Sequence, residues 1–494
     1  MSIKKFDMLQ NKYLPFWIIT FAFLGGLILP VLVMDGMFMD GVLYAAVSKN
    51  LANGYGTMWW LKYSEYGFAE HVTFHEHPPL IFWIQSVFFK VFGNGMYTER
   101  IYSFFTCLVT AFLMIKTWKL ITKDNESLSK LSWIAIIMWM LIPVSFWAYQ
   151  NNIQENTMGI FSLLSVFFAL KAVHLKERVW MYLFLSGLMI FCAGFSKGLP
   201  GLFTLGTVFF HWVFFRKQSF WMMLLQNTFV IIVCFGTLGL ILLIPDAKES
   251  LSIYFHDRLG SRVSGAAEEN NNLYRAESHF YILKRMFWEL LPLMIVSVIT
   301  LLIYKINKVS SKLEKEHYKW IGFFVVIGLC GSVPIMLTLV QKTFYAVGSL
   351  PYFAVAFALI IAPGMAERIA RIDVSKRGHK VFRVISIVLI LGVLIVTALQ
   401  VGKVSRNKNV LHDLYLVDEH IPENTVINVH PSMHNEWDMR VYLVRYWLIS
   451  VDFNEERKHD FYLMNKDLGK TPDSSYVLIE LPTRKYDLYQ RIED

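Results

Sequence analysis

Several charged and ring-bearing residues of this chain stand immediately beside long apolar runs, where a charge is costly unless it is paired or used. Asp35 and Asp40 follow the first such run, and Glu76-His77-Pro78-Pro79 and Glu99-Arg100 lie a little further on. Glu155 opens a later run, Lys197 sits in a turn with Gly198 and Pro200, and His256, Asp257, Arg258 and Arg262 follow another. His279 precedes an apolar run, and Lys342 and Tyr345 lie between two more. Each has a plain alternative use. Asp40 or Glu155 can favour a helix N-terminus. Lys197 or Lys342 can snorkel from a span end, and Pro78-Pro79 can simply start a helix. Glu99-Arg100 can be a structural pair, and the histidines can be ordinary surface groups. Taken together they suit chemistry on an anionic lipid. Arg and Lys hold phosphate oxygens and stabilise a leaving phosphate. A carboxylate takes the proton of an acceptor hydroxyl. Carboxylates with a histidine can also hold a divalent cation, and Glu76, Glu155 and His279 are the candidate ligands.

The elements that must position these groups are membrane spans. The 494 residues are 55% hydrophobic and 17% charged, against about 25% charged in soluble proteins. Residues 402–494 carry 12 basic and 16 acidic side chains, leaving 35 basic and 22 acidic over 1–401. The net charge of +9 therefore divides into +13 on the apolar part and −4 on the tail. The basic residues sit in short loops between apolar runs, which speaks for orientation in a bilayer and against nucleic-acid binding. The four cysteines, Cys107, Cys192, Cys234 and Cys330, fall inside apolar runs and read as small buried hydrophobes.

A span needs about 20 mostly apolar residues. Eleven stretches approach this, at 14–33, 101–118, 131–148, 157–173, 179–195, 199–215, 221–244, 287–304, 320–340, 347–364 and 384–401. The first is preceded by Lys4, Lys5 and Lys12 and is read as a retained span. Lys and Arg are far denser in the loops on the N-terminal side, from Arg216-Lys217 to the Arg368–Arg383 stretch. That bias places the N-terminus in the cytoplasm and the tail outside. Two outer segments, 34–100 and 245–286, are longer than connectors need to be, which marks them as functional or disordered. The first reads as two amphipathic helices lying on the membrane surface, Asp40 to Asn53 and Pro79 to Phe92. The tail reads as a small α/β domain, with strands near 425–429 and 476–480 and a helix from Trp437 to Ile449.

The ordered set Asp40-Gly41-Val42-Leu43-Tyr44-Ala45, Glu76-His77-Pro78-Pro79-Leu80, Glu99-Arg100-Ile101, Lys197-Gly198 and Lys342-Thr343-Phe344-Tyr345 with Pro351 resembles the GT-C glycosyltransferases. It is most similar to the protein mannosyltransferase and aminoarabinose (lipid A) transferase superfamily, over about residues 30–365. The resemblance implies a polytopic all-α membrane fold of about 11 spans with a small extracytoplasmic α/β domain. It also implies a polyprenyl-phosphate sugar donor and inverting transfer on the outer face of a bacterial inner or plasma membrane, to a lipid, glycan or protein acceptor. By position, Asp40 matches the first-loop aspartate that acts as general base, Glu155 the acid of the second outer loop, and Glu76 the acid before Pro-Pro. Lys197 and Lys342 match basic residues near the lipid phosphate, and Tyr345 the aromatic of the same loop. Arg258, Arg262 and His77 are further candidates for the phosphate. Two positions depart from the pattern. Gly41 stands where many members carry Glu, and His77 where aminoarabinose transferases carry Lys. A transporter or lipid flippase is the competing class. It would place charge or broken helices at mid-span depth, whereas the polar groups here cluster at span ends.

Overall fold

The computed structural model describes residues 11–68, 71–260, 276–310 and 313–492. The chain opens with α1 (Leu14–Leu32), α2 (Met39–Ala52), α3 (Leu80–Phe92) and α4 (Thr98–Ile121). A single turn, α5 (Glu126–Ser129), leads into α6 (Ser132–Met140), α7 (Pro143–Gln150), α8 (Gln154–Val173) and α9 (Val179–Lys197). A 3₁₀ stretch at Leu199–Gly206 precedes α10 (Thr207–Phe215), α11 (Phe220–Ile241) and α12 (Pro245–Ile253). Then come α13 (Tyr281–Ile306), α14 (Lys315–Ser332), α15 (Leu350–Ala370) and α16 (Arg377–Ala398). The C-terminal part holds α17 (Lys408–Asp418), α18 (Trp437–Trp447) and strands β1 (Val426–Val429), β2 (Ser450–Asp452), β3 (Phe461–Asn465), β4 (Tyr476–Ile479) and β5 (Tyr486–Arg491).

Among the described residues nine helices are long and apolar enough to cross a membrane. A tenth span exists if the pair α6 and α7, bent by 81°, is counted as one. The eleven apolar stretches are therefore all helical, but two are not simple spans. The 131–148 run breaks before Pro143, whose ring cannot continue the preceding helix and which instead starts α7. The 199–215 run begins as a 3₁₀ turn and is too short to match its neighbours. The turn around Gly198 separates two helices, as the Gly and Pro there predicted. Gly198 has φ +89°, and a Cβ on it would lie 2.0 Å from the Tyr254 hydroxyl oxygen, so both conformation and space require glycine.

The C-terminal sheet has the order β2-β1-β3-β5-β4. β1 runs parallel to β2 and β3, while β5 is antiparallel to β3 and β4. This sheet does not keep a core to itself. Val42, Tyr44, Tyr63, Phe74 and Phe82 of the first loop pack into the same apolar cluster as Leu411, Tyr442, Leu463 and Leu488. The shared core corrects the reading of α2 as a surface helix. Every residue from Gly41 to Asn50 is buried, because α18 covers the side that would otherwise face water. Its polar groups are satisfied by that cover. Lys49 Nζ donates to the carbonyls of Arg445 and Tyr446 at 2.8 and 3.0 Å, closing off the last turn of α18.

The two parts are held by a buried knot of charge. Glu99 Oε2 accepts from Arg445 Nη2 at 2.6 Å, and Arg445 is fully buried. Arg445 also donates to the carbonyls of Asn94 and Gly95, each at 3.0 Å. Glu99 and Asp35 share Arg100, at 3.1 and 3.5 Å. Asp35 accepts from the hydroxyls of Tyr446 and Tyr415, both at 2.6 Å. Glu99-Arg100 is thus a structural pair. Breaking one partner of a buried ion pair costs about 3–5 kcal/mol because the other charge is left uncompensated. Arg445→Met is accordingly expected to lower stability by about 3 kcal/mol or more. It should also open the chain near 402–425 to protease, both read on the purified protein; an unchanged melting temperature and digestion pattern would show that the knot does not hold the sheet.

Candidate active site

Asp40 occupies the first turn of α2, but the helix is not capped by a side chain and its N-cap is Phe38. Asp40 thus makes no capping hydrogen bond, although its place in the first turn complements the helix dipole. Its place is fixed instead by close backbone packing. A Cβ on the next residue, Gly41, would lie 2.0 Å from the Asn151 carbonyl oxygen, so no side chain has room there. Asn151 Oδ1 accepts from the Phe38 amide at 2.9 Å, and Asn152 Nδ2 donates to the Gly41 carbonyl at 3.0 Å. Gln85 of α3 donates to Asn152 Oδ1 at 2.9 Å and accepts from Ser48 of α2 at 3.0 Å. These buried amides tie α2, α3 and the loop before α8 into one unit.

Glu155, in the first turn of α8, is 1% exposed, and its Oε1 lies 3.1 Å from the Nζ of Lys197. Lys197 ends α9, where a cation also meets the partial negative charge of the helix terminus. Its ammonium stands between two rings, 5.9 Å from the centroid of Tyr44 and 5.5 Å from that of Tyr345. The hydroxyl of Tyr44 is 3.2 Å from His77 Nε2, and the two rings meet edge to face. Lys342 precedes the 3₁₀ turn Thr343–Ser349 that carries Tyr345.

The charges act on one another. Burial pushes the half-buried Asp40 carboxyl up to about 6, with Lys197 and Lys342 pulling it down and Glu155 adding to the rise. Burial lowers the Lys342 ammonium, and Asp40 opposes that. The Tyr44 phenol is held well above its usual range, first by burial and then by Asp40, Glu155, Tyr345 and Glu76. Asp40, Glu76, His77, Glu155, Lys197, Lys342 and Tyr345 are thus brought together around Tyr44. Tyr44 had no role assigned from sequence, yet it lies one helical turn after Asp40, a spacing that places both on one face.

Other candidates fall elsewhere. The side chain of Arg258 and the whole of Arg262 lie outside the described residues. His279 is exposed, with Nδ1 2.6 Å from the Met336 carbonyl oxygen. The expected metal set of Glu76, Glu155 and His279 does not assemble. Among the described residues no group of three His, Cys, Asp or Glu gathers as metal ligands. Glu155, the buried carboxylate, is compensated by the Lys197 ammonium. These residues do not fit a metal site.

Beside the cluster lies an apolar cavity of about 110 Å³, lined by Pro78, Gly194, Phe195, Gly198, Leu251 and Tyr254 among others. Its walls thus include the chain neighbours of His77 and Lys197.

Residues 76–246 match the dolichyl-phosphate-mannose-protein mannosyltransferase family. No curated protein sequence matches the chain. Among solved structures, ArnT from Cupriavidus metallidurans bound to undecaprenyl phosphate superposes over 96% of this chain and 97% of its own, with a TM-score of 0.66 at 14% identity. The chain has the GT-C fold. The apo form of the same ArnT gives a TM-score of 0.61 at 13% identity, covering 95% of this chain and 96% of its own. The Archaeoglobus fulgidus oligosaccharyltransferase in its apo form gives 0.51 at 12% identity, covering 89% of this chain and 64% of that one. In this fold the first loop packs as one layer, so a side chain at 41 should be felt. Gly41→Ala is expected to lower stability by about 1–3 kcal/mol, read as a fall in melting temperature. A wild-type melting temperature would show that the loop around Asn151 yields freely.

Proposed function

We propose that the protein is an integral-membrane glycosyltransferase that moves a sugar from a polyprenyl-phosphate donor to a lipid, glycan or protein hydroxyl, with inversion. The carrying observation is the meeting of Asp40, the Glu155–Lys197 pair and Lys342 around Tyr44, beside an apolar cavity. The match to a mannosyltransferase family and the likeness to a transferase solved with undecaprenyl phosphate support the same reading. A transporter would hold its cargo at mid-depth, whereas this cluster gathers where the spans end.

In this reading Lys342, with His77 and Tyr345 at hand, holds the donor phosphate, and the apolar cavity takes the start of the lipid chain. Lys197 adds positive potential and holds Glu155 in place. The acceptor oxygen attacks the anomeric carbon from the side opposite the phosphate. As that bond forms, the bond from the anomeric carbon to the phosphate oxygen breaks, and the electron pair leaves with polyprenyl phosphate. Asp40 takes the acceptor proton. Glu76, next to Pro78-Pro79, helps set the field around Tyr44. A carboxyl near 6 is mostly ionised at neutral pH and still a usable base. Whether the sugar is a hexose or a pentose is decided by the same assay that tests the reaction.

That assay supplies membranes with a panel of polyprenyl-phosphate hexoses and pentoses and follows released polyprenyl phosphate. Asp40→Asn keeps the shape of the side chain, and should fold and bind donor normally while turnover falls at least about a hundredfold. In the wild type kcat/KM should level off above about pH 6 and fall about tenfold per unit below it, as Asp40 takes up its proton. Lys342→Ala should weaken donor binding more than acceptor binding. Near-normal turnover of well-folded Asp40→Asn would remove Asp40 as the base, and release from no donor would remove the reading.

We also infer the orientation: the N-terminus in the cytoplasm and the C-terminal sheet outside, from the Lys and Arg bias. A phosphatase reporter fused after residue 494 should be active outside; activity of a cytoplasm-only reporter at that position would reverse it.

A further inference from the structure

At the other end of the spans lies a feature that the transfer reaction does not use. Residues before α1, the last turn of α4 and the start of α6 surround a groove of about 650 Å³. α1 has 19 residues, so its Lys12 end and its Asp35 end stand about 28 Å apart. Lys12, Lys119 and Lys130 converge on the groove. The ammonium groups of Lys12 and Lys130 both approach the ring of Tyr13, at 5.7 and 5.9 Å. Glu126 pairs with Lys130 at 2.6 Å and leaves an excess of two positive charges. Ser132 also lines the groove; it is 1% exposed, and its Oγ is a buried hydroxyl with no hydrogen-bond partner. Three ammonium groups against one carboxylate are a complement to an anion's oxygens.

The floor shows which anion. Trp17 lines the groove and stacks on Phe21 at 5.8 Å, and Phe21 is 42% exposed on the outer surface of α1. The cationic groove therefore continues directly into the apolar, lipid-facing side of a span. Amphipathic Trp and Tyr rings at this level are the usual boundary between headgroups and acyl chains. We propose that this groove is a binding site for the phosphodiester headgroup of an anionic phospholipid, whose acyl chains run along Trp17 and Phe21. The shared chemistry with free phosphate is the anionic oxygen; the apolar continuation selects the lipid.

The test uses the full chain in neutral detergent and native mass spectrometry, independent of any transferase activity. Dioctanoyl phosphatidylglycerol, dioctanoyl phosphatidylcholine and inorganic phosphate are titrated in turn. Phosphatidylglycerol should bind at least about tenfold more tightly than phosphatidylcholine, since each lysine near a lipid phosphate adds attraction. Lys119→Gln combined with Lys130→Gln should bring the two lipids level without changing the melting temperature. Equal binding of the lipids by the wild type, or an unchanged preference in the double variant, overturns the site. Displacement of phosphatidylglycerol by an equal concentration of inorganic phosphate overturns the lipid as its ligand. If the double variant does not fold, Lys12→Gln decides: a loss of several-fold in phosphatidylglycerol affinity supports the site, and no loss overturns it.

Discussion

The arrangement rests on the buried ionic knot of Asp35, Glu99, Arg100 and Arg445. It sits where the first span ends, α4 begins and α18 descends on both. Such a knot contributes little net stability, because taking four charges out of water costs about as much as their attraction returns. What it confers is register. The fork of Arg445 spans Glu99 and the carbonyls of Asn94 and Gly95, and it accepts only one docking of the sheet on the first loop. With α18 so placed, the whole of α2 from Gly41 to Asn50 is buried, and the Asp40 carboxylate gains a fixed position at the membrane boundary.

Rigidity and charge then work together. The amide chain from Ser48 through Gln85 and Asn152 to the Gly41 carbonyl joins the elements that carry Asp40, His77 and Glu155. Three carboxylates, Asp40, Glu76 and Glu155, and two ammonium groups, Lys197 and Lys342, share the cluster, so opposite charges offset most of one another before a phosphate enters. Glu155 and Lys197 neutralise each other at 3.1 Å, while Asp40 and Lys342 influence each other through a partly solvated space. Burial raises the Asp40 carboxyl and the lysines oppose that rise, leaving it at about 6, where it can act as a base.

Two positions, beside Asp40 and before the Pro-Pro pair, have physical reasons in this packing. Gly41 carries no side chain because the Asn151 carbonyl occupies the space one would need. His77 faces the Tyr44 hydroxyl, so a ring that can donate or accept a hydrogen bond stands at this edge of the cluster.

Much of this was legible in the chain itself. The apolar runs, the Lys and Arg bias and the soluble, acidic tail follow from composition, because crossing a bilayer demands a continuous apolar stretch whatever the neighbours do. The turn at Gly198 and the break at Pro143 were equally local, each set by what one residue's backbone can adopt. The ordered motifs also named Asp40, Glu155, Lys197 and Lys342 before any fold was known. Tertiary structure decided the rest. The burial of α2 needed a sheet more than 350 residues away in sequence, whose strands β2 and β3 are too short and too completely buried to show a period. The pairing of Glu99 with Arg445, the failure of Glu76, Glu155 and His279 to form a metal site, and the place of the Lys197 ammonium between the Tyr44 and Tyr345 rings are long-range outcomes of the same kind. A sequence records which side chains want a partner; only the packed chain decides which partner is within 3 Å.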